Sequence, residues 1–193
     1  MKTKKLISYF SVGFLLLMFF SGCKNNVKTS NSENIVTSKE ELIKRGSYLV
    51  SSIGCSDCHS PKKIGPRGLE VIDTLIFSGF PADTKLPKYD KKIVDQGWGL
   101  VNFDFTANVG SWGVSFGANI TSDASGIGNW PEENFIRAMR RGKYKGIEGA
   151  RTLLPPMPWA DFSNLTDDDV IAIHAFLITI KPVRNIVPAA IAP

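Results

Sequence analysis

The chain has 193 residues, a formal net charge of +5 and hydrophobic residues at 43% of positions, a length that fits one ordinary domain plus a leader. Lys2, Lys4 and Lys5 sit in the first 22 residues with no acid among them, so without that segment the charge falls from +5 to +2. No block of Lys and Arg with interleaved aromatics remains, which removes nucleic acid from the partners to be considered.

The three lysines precede a mostly apolar run over residues 6–20 that is too short and wrongly flanked for a spanning helix, so residues 1–22 read as a signal peptide. Phe20-Ser21-Gly22-Cys23 places small residues directly before a cysteine, as in a bacterial lipoprotein processing site, and predicts cleavage before Cys23 with acylation of its thiol. Phe20 departs from the leucine usual there. A plain secretory signal and an uncleaved anchor helix are the alternatives, and all three put the folded part outside the cytoplasm. Residues 23–37, rich in Asn, Ser, Thr and Lys, predict a flexible tether with little to bury.

An all-α domain is predicted over residues 38–187, with a short C-terminal tail at 188–193. Ser38-Lys39-Glu40-Glu41 has the form of a capping box, and Leu42, Ile43, Leu49, Val50 and Ile53 follow at helical spacing up to Gly54, which helps end the helix. Residues 64–117 are dense in Gly, Pro and aromatics, including Trp98, Phe103, Phe105, Trp112 and Phe116. They predict a long irregular insertion with its own small apolar cluster. Asn129-Trp130-Pro131-Glu132-Glu133 begins a second helix with proline at the first helical position, and Gly142 stops it. Thr166-Asp167-Asp168-Asp169 begins a last helix through Val170, Ile173, Leu177 and Ile180, closed by Lys181-Pro182.

Cys55-Ser56-Asp57-Cys58-His59 is C-x-x-C-H, the attachment signature for c-type haem. Two thiols three residues apart can add to the two vinyl groups of one porphyrin, and the adjacent imidazole then reaches the iron from that face. A zinc site needs four ligands, and His174 is the one histidine left, with no further cysteine nearby. A thioredoxin-like pair would want a βαβ context that the pattern lacks. Lipidation of Cys23 and thioethers from Cys55 and Cys58 would use all three cysteines.

For the sixth iron ligand, Met139 and His174 sit at helical spacing among apolar residues and read as packed side chains. Met157 stands in Leu154-Pro155-Pro156-Met157-Pro158-Trp159, which cannot be helical; three prolines stiffen the loop that presents its thioether. A carbonyl from Ile64-Gly65-Pro66 is a candidate acceptor for the Nδ1 hydrogen of His59. Arg67, Asn119, Arg151 and Trp159 are candidate partners at the haem edge or propionates, and Ile53, Leu154, Phe162 and Leu177 would form a hydrophobic sleeve.

The order Arg45-Gly46-Ser47-Tyr48-Leu49, C-x-x-C-H, Asn119-Ile120-Thr121, Gly126-Ile127-Gly128-Asn129-Trp130, Pro155-Pro156-Met157-Pro158 and Leu165-Thr166-Asp167-Asp168 resembles class I bacterial cytochrome c. It is most similar to haem domains in cytochrome subunits of membrane-bound alcohol and aldehyde dehydrogenases, and to stand-alone lipoprotein cytochromes, over about residues 40–62 and 117–183. The resemblance implies a helical domain around one covalent haem c, with His59 and Met157 as axial ligands, in a one-electron carrier rather than an enzyme. It also implies redox protein partners, with a dehydrogenase or quinol-oxidising donor and a terminal oxidase or other acceptor. The multi-haem subunits usually have three C-x-x-C-H motifs where this chain has one, and the 64–117 stretch is a further departure. A five-coordinate haem with peroxidase or sensing activity, and a subunit held within a dehydrogenase complex, are the alternatives.

Overall fold

The structure, a computed structural model, describes residues 38–193. The signal peptide, Cys23 and the tether lie outside the described residues. Helix α1 spans Lys39–Ser52 and opens with the capping box expected from the sequence: the Ser38 hydroxyl accepts from the Glu41 N–H at 3.2 Å, and the Glu41 carboxylate accepts from the Ser38 N–H at 2.9 Å. It stops at Ile53, and Gly54 takes the left-handed conformation (φ 73°) that a helix end requires. Helix α2, Cys55–His59, follows as a single turn.

Helices α4 (Glu132–Arg141), α5 (Trp159–Phe162) and α6 (Asp167–Leu177) complete the main core. Pro131 is the residue before α4 rather than its first position; its carbonyl accepts the first helical N–H groups, from Asn134 at 2.9 Å and Phe135 at 3.3 Å. Thr166 and Asp169 form a second capping box at the start of α6. This helix ends at Leu177, ahead of Lys181-Pro182, as Thr179 turns its N–H and hydroxyl onto the Phe176 carbonyl.

Helices α1 and α6 cross at Gly46, where an added Cβ would lie 1.9 Å from the Ala172 carbonyl oxygen, so any side chain there would push the helices apart. Arg45 beside it pairs with Asp169 through Nε at 2.8 Å and Nη2 at 2.5 Å. The core is Val50, Phe77, Ile127, Phe135, Met139, Val170, Ile173 and Leu177.

The insertion is ordered into short elements. β1 (Lys62–Gly65) pairs antiparallel with β2 (Gly68–Val71), Lys62 opposite Val71. After the short helix α3 (Lys91–Asp95), β3 (Leu100–Val101), β4 (Ala107–Gly110) and β5 (Gly113–Phe116) form an antiparallel sheet in that order. Val94, Val109 and Val114, with Leu86, Leu100 and Phe116, form its own apolar cluster. Among the described residues the helices build most of the main core, with Phe77 and Ile127 added from loops, and the five strands, all between 62 and 116, qualify the all-α expectation. Strands of two to four residues are too short to show a period-two pattern.

The C-terminal tail is tied down: Ile191 exchanges both backbone hydrogen bonds with Val114, at 2.8 and 3.0 Å. No described helix is long and apolar enough to cross a membrane.

Candidate functional site

Helix α2 presents both thiols on one turn. Cys55 packs against the main core, and Cys58 is half-buried beside it; neither is in a disulfide. Burial pushes the Cys55 thiol up to about 11 and raises that of Cys58, with the Asp57 carboxylate adding in the same direction. Both groups are therefore held as neutral thiols at pH 7, which makes them poor as a thiolate redox pair.

The His59 Nδ1 hydrogen goes to the carbonyl of Ala118 at 2.7 Å. That bond fixes the tautomer and leaves the Nε2 lone pair as the ring's free donor. Burial, then the Lys62 cation, holds the imidazole below the ordinary histidine range, opposed by the Ala118 hydrogen bond. The acceptor is thus Ala118 and not the 64–66 run, which forms the exposed end of the β1–β2 hairpin; Ile64 is 74% exposed.

Ala118 reaches His59 because residues 77–80 of the insertion and the stretch at its far end, 117–120, pair with each other beside α2. The Gly79 N–H donates to the His59 carbonyl at 2.8 Å, the Phe80 N–H to Gly117 at 2.9 Å and the Ile120 N–H to Phe77 at 2.9 Å. Gly117 lies so close that a Cβ would sit 2.0 Å from the Cys58 carbonyl oxygen. Lys62 closes the same C-terminal end of α2: its Nζ donates to the carbonyls of Asp57 (2.6 Å), Ser60 (3.0 Å) and, from the insertion, Asp104 (2.9 Å). A cation over the negative end of a helix is the usual partner for its last carbonyls. Sequence reasoning missed Lys62, although a lysine three residues past a helix end is the signal that would have found it.

Met157 is half-buried and packs on the same core as Cys55. Its loop is held to the insertion by the Ser115 hydroxyl, which donates to the Pro155 carbonyl at 2.5 Å. Met139, 6% exposed, is a core side chain as the sequence suggested. His174 stacks on Phe135 with ring centroids 4.9 Å apart and is packed in the same way.

The candidate edge residues separate. Asn119 is spent on the polypeptide: its amide nitrogen donates to Val183 at 2.8 Å and its oxygen accepts from Thr121 at 3.0 and 2.7 Å. Arg67 is exposed and pairs with Glu70 at 3.3 Å. Arg151 stacks 4.1 Å over the Tyr144 ring and donates to Thr152 at 3.0 Å, while Trp159 lies against Gly142. Of the expected sleeve, Leu177 is in the core and Ile53 and Phe162 pack on it; Leu154 lies outside that cluster.

The donor set fits a covalently held haem. Two neutral thiols lie on one turn, and the next residue is an imidazole with Nδ1 committed to a carbonyl and Nε2 free. A thioether-bearing loop is packed on the same core.

No family model matches the chain. Over 148 residues, 75% of its length, it is 31% identical to the cytochrome c subunit of alcohol dehydrogenase (quinone) of Gluconobacter oxydans (strain 621H), of which it spans 23%. It is 28% identical over 143 residues to the fructose dehydrogenase cytochrome subunit of Gluconobacter japonicus, with 73% of the chain and 22% of that subunit covered. To the gluconate 2-dehydrogenase cytochrome c subunit of Pantoea cypripedii it is 26% identical over 140 residues, covering 72% and 23%. The chain therefore spans less than a quarter of the length of these curated relatives, and across about three quarters of its own length it is similar to cytochrome c subunits of dehydrogenases.

Proposed function

We propose that this chain is a c-type cytochrome that carries single electrons, with one haem c joined to Cys55 and Cys58 and its iron ligated by His59 and Met157. The observation that carries the reading is the His59–Ala118 hydrogen bond on the turn that also presents the two thiols. It is the arrangement an axial imidazole needs, and no catalytic group is required beside it. Bound haem c supplies a one-electron couple between ferric and ferrous iron.

The protein's own contribution is to hold its ligands still. Ala118 keeps the imidazole oriented, Lys62 anchors the end of α2, and the main core backs Cys55 and Met157. A thioether opposite an imidazole favours the ferrous state relative to a second imidazole, and so raises the potential. It also fills the position that a peroxidase or ligand sensor would keep open, so carriage is preferred over those activities.

Cys23 as a lipidated residue would tether the domain to a bacterial membrane on its periplasmic side. A domain on a tether meets membrane-bound partners at high effective concentration. The donors that suit it are a dehydrogenase or a quinol-oxidising enzyme, and the acceptors a terminal oxidase or another redox protein. The similarity to dehydrogenase cytochrome subunits favours a second reading, a subunit that stays with its dehydrogenase. Cell fractionation separates these points: wild type is expected with membranes and Cys23→Ser in the soluble pool, and a dehydrogenase co-eluting after detergent extraction supports the subunit reading. Cys23→Ser remaining membrane-bound would contradict the anchor.

Electron carriage itself is tested by potentiometric titration of the haem-loaded protein. The expected result is a reversible single-electron Nernst curve with haem that stays on the chain after denaturation. Haem extracted by acidified organic solvent, or a couple that does not reverse, would contradict it.

A further inference from the structure

The last strand of the insertion reaches both segments that bear the proposed axial ligands. Just past β5, Ala118 takes the His59 Nδ1 hydrogen at 2.7 Å. Three residues earlier, within β5, the Ser115 hydroxyl donates to the Pro155 carbonyl at 2.5 Å, two residues before Met157. The Ser115 oxygen in turn accepts the indole N–H of Trp112 at 3.2 Å, so the hydroxyl's single hydrogen is directed to Pro155. Ser115 is 8% exposed, which leaves water little access to compete. Trp112 is itself held, its ring lying against Gly110 so closely that a Cβ there would be 2.3 Å away.

The Met157 loop has few tethers of its own. Pro155, Pro156 and Pro158 have no N–H to donate, and the Met157 N–H makes a 3.3 Å turn bond to Leu154 within the loop. From outside, Leu153 just ahead of the loop donates to the Gly142 carbonyl at 2.6 Å and Met157 packs on the main core, while the Ser115 hydroxyl supplies a side-chain hydrogen bond to the loop's own backbone. We propose that Ser115 is a positioning residue for Met157, holding the thioether loop to the same strand end that orients His59. The inference rests on the reading that Met157 ligates the haem iron. On it, one short segment at the end of the insertion, residues 115–118, joins the two sides of the ligand pair.

The test is an imidazole titration of the ferric haem-loaded protein, with the near-infrared sulfur-to-iron band recorded for each variant. Losing one buried hydrogen bond predicts that Ser115→Ala binds imidazole about fivefold more tightly and shows a weakened band. Ser115→Thr, which keeps the hydroxyl, is expected to stay within about twofold of wild type. Trp112→Phe, which frees the hydroxyl to turn away, is expected to move in the direction of Ser115→Ala by a smaller step, and it reads the same contact if Ser115→Ala does not mature. Imidazole affinities for both variants at the wild-type value would overturn the proposal. Met157→Ala separates the two levels. If it leaves affinity and band unchanged, the ligation reading fails; if it alters both while the Ser115 and Trp112 variants do not, only the role of Ser115 fails.

Discussion

The two histidines of this chain are both pushed below the ordinary range by burial, yet their ring nitrogens meet different fates. His59 spends Nδ1 on the Ala118 carbonyl and keeps Nε2 free. His174 has its Nδ1 3.9 Å from the Glu132 carboxylate, its ring stacked on Phe135, and a buried Nε2 with no hydrogen-bond partner. An unpartnered buried nitrogen is tolerable while the ring is neutral and costly once it must carry charge. The unfolded chain takes up a proton on His174 near about pH 6.5, and the folded chain resists it. Stability from the neutral ring is therefore complete above that pH and is lost as pH falls through the lower folded value. Urea unfolding of the haem-loaded protein between pH 8 and 5 is expected to show wild type losing stability towards acid more steeply than His174→Gln. Parallel curves for the two would contradict this account of His174.

At the scale of elements, what the sequence revealed was what is encoded locally. The capping boxes at Ser38 and Thr166, the glycine stops at Gly54 and Gly142, and the C-x-x-C-H turn each need only a few neighbouring residues. What could not be read depends on distant partners. Ala118 lies 59 residues from His59 and Ser115 lies 40 from Pro155, and nothing in an alanine or a serine marks it for such a contact. The sequence pointed to an acceptor for His59 just after the motif, in 64–66, where the chain in fact turns outward in a hairpin. Gly117 did carry a signal, since only a residue without Cβ lets that backbone run against Cys58. Its partner across the contact was not knowable from the sequence. Arg151 and Asn119 show the reverse case, residue types suited to a haem edge that the fold uses on Tyr144, Val183 and Thr121 instead.

Across the whole described molecule, distant stretches brace the site directly or through one another. The core formed by α1, α4 and α6 with Phe77 and Ile127 backs Cys55 and Met157; the insertion supplies Ser115 and the Asp104 carbonyl that holds Lys62, and the residue just past it, Ala118, takes the His59 hydrogen. The C-terminal stretch straps the insertion in place: the Asn185 amide donates to Ser78 at 2.7 Å and Phe80 at 2.9 Å, while Ile191 extends the β5 edge. A site braced from several directions changes little in geometry when its charge changes, which is the property a single-electron carrier needs. The central claim is that such bracing serves a His59/Met157 pair. Its most direct test is the absorption spectrum of the haem-loaded protein, oxidised and reduced, for wild type and Met157→Ala. The account predicts a sharp reduced α-band and a weak near-infrared sulfur-to-iron band in wild type, the latter absent from the variant. A high-spin wild type that binds carbon monoxide would contradict it and leave the distal position open.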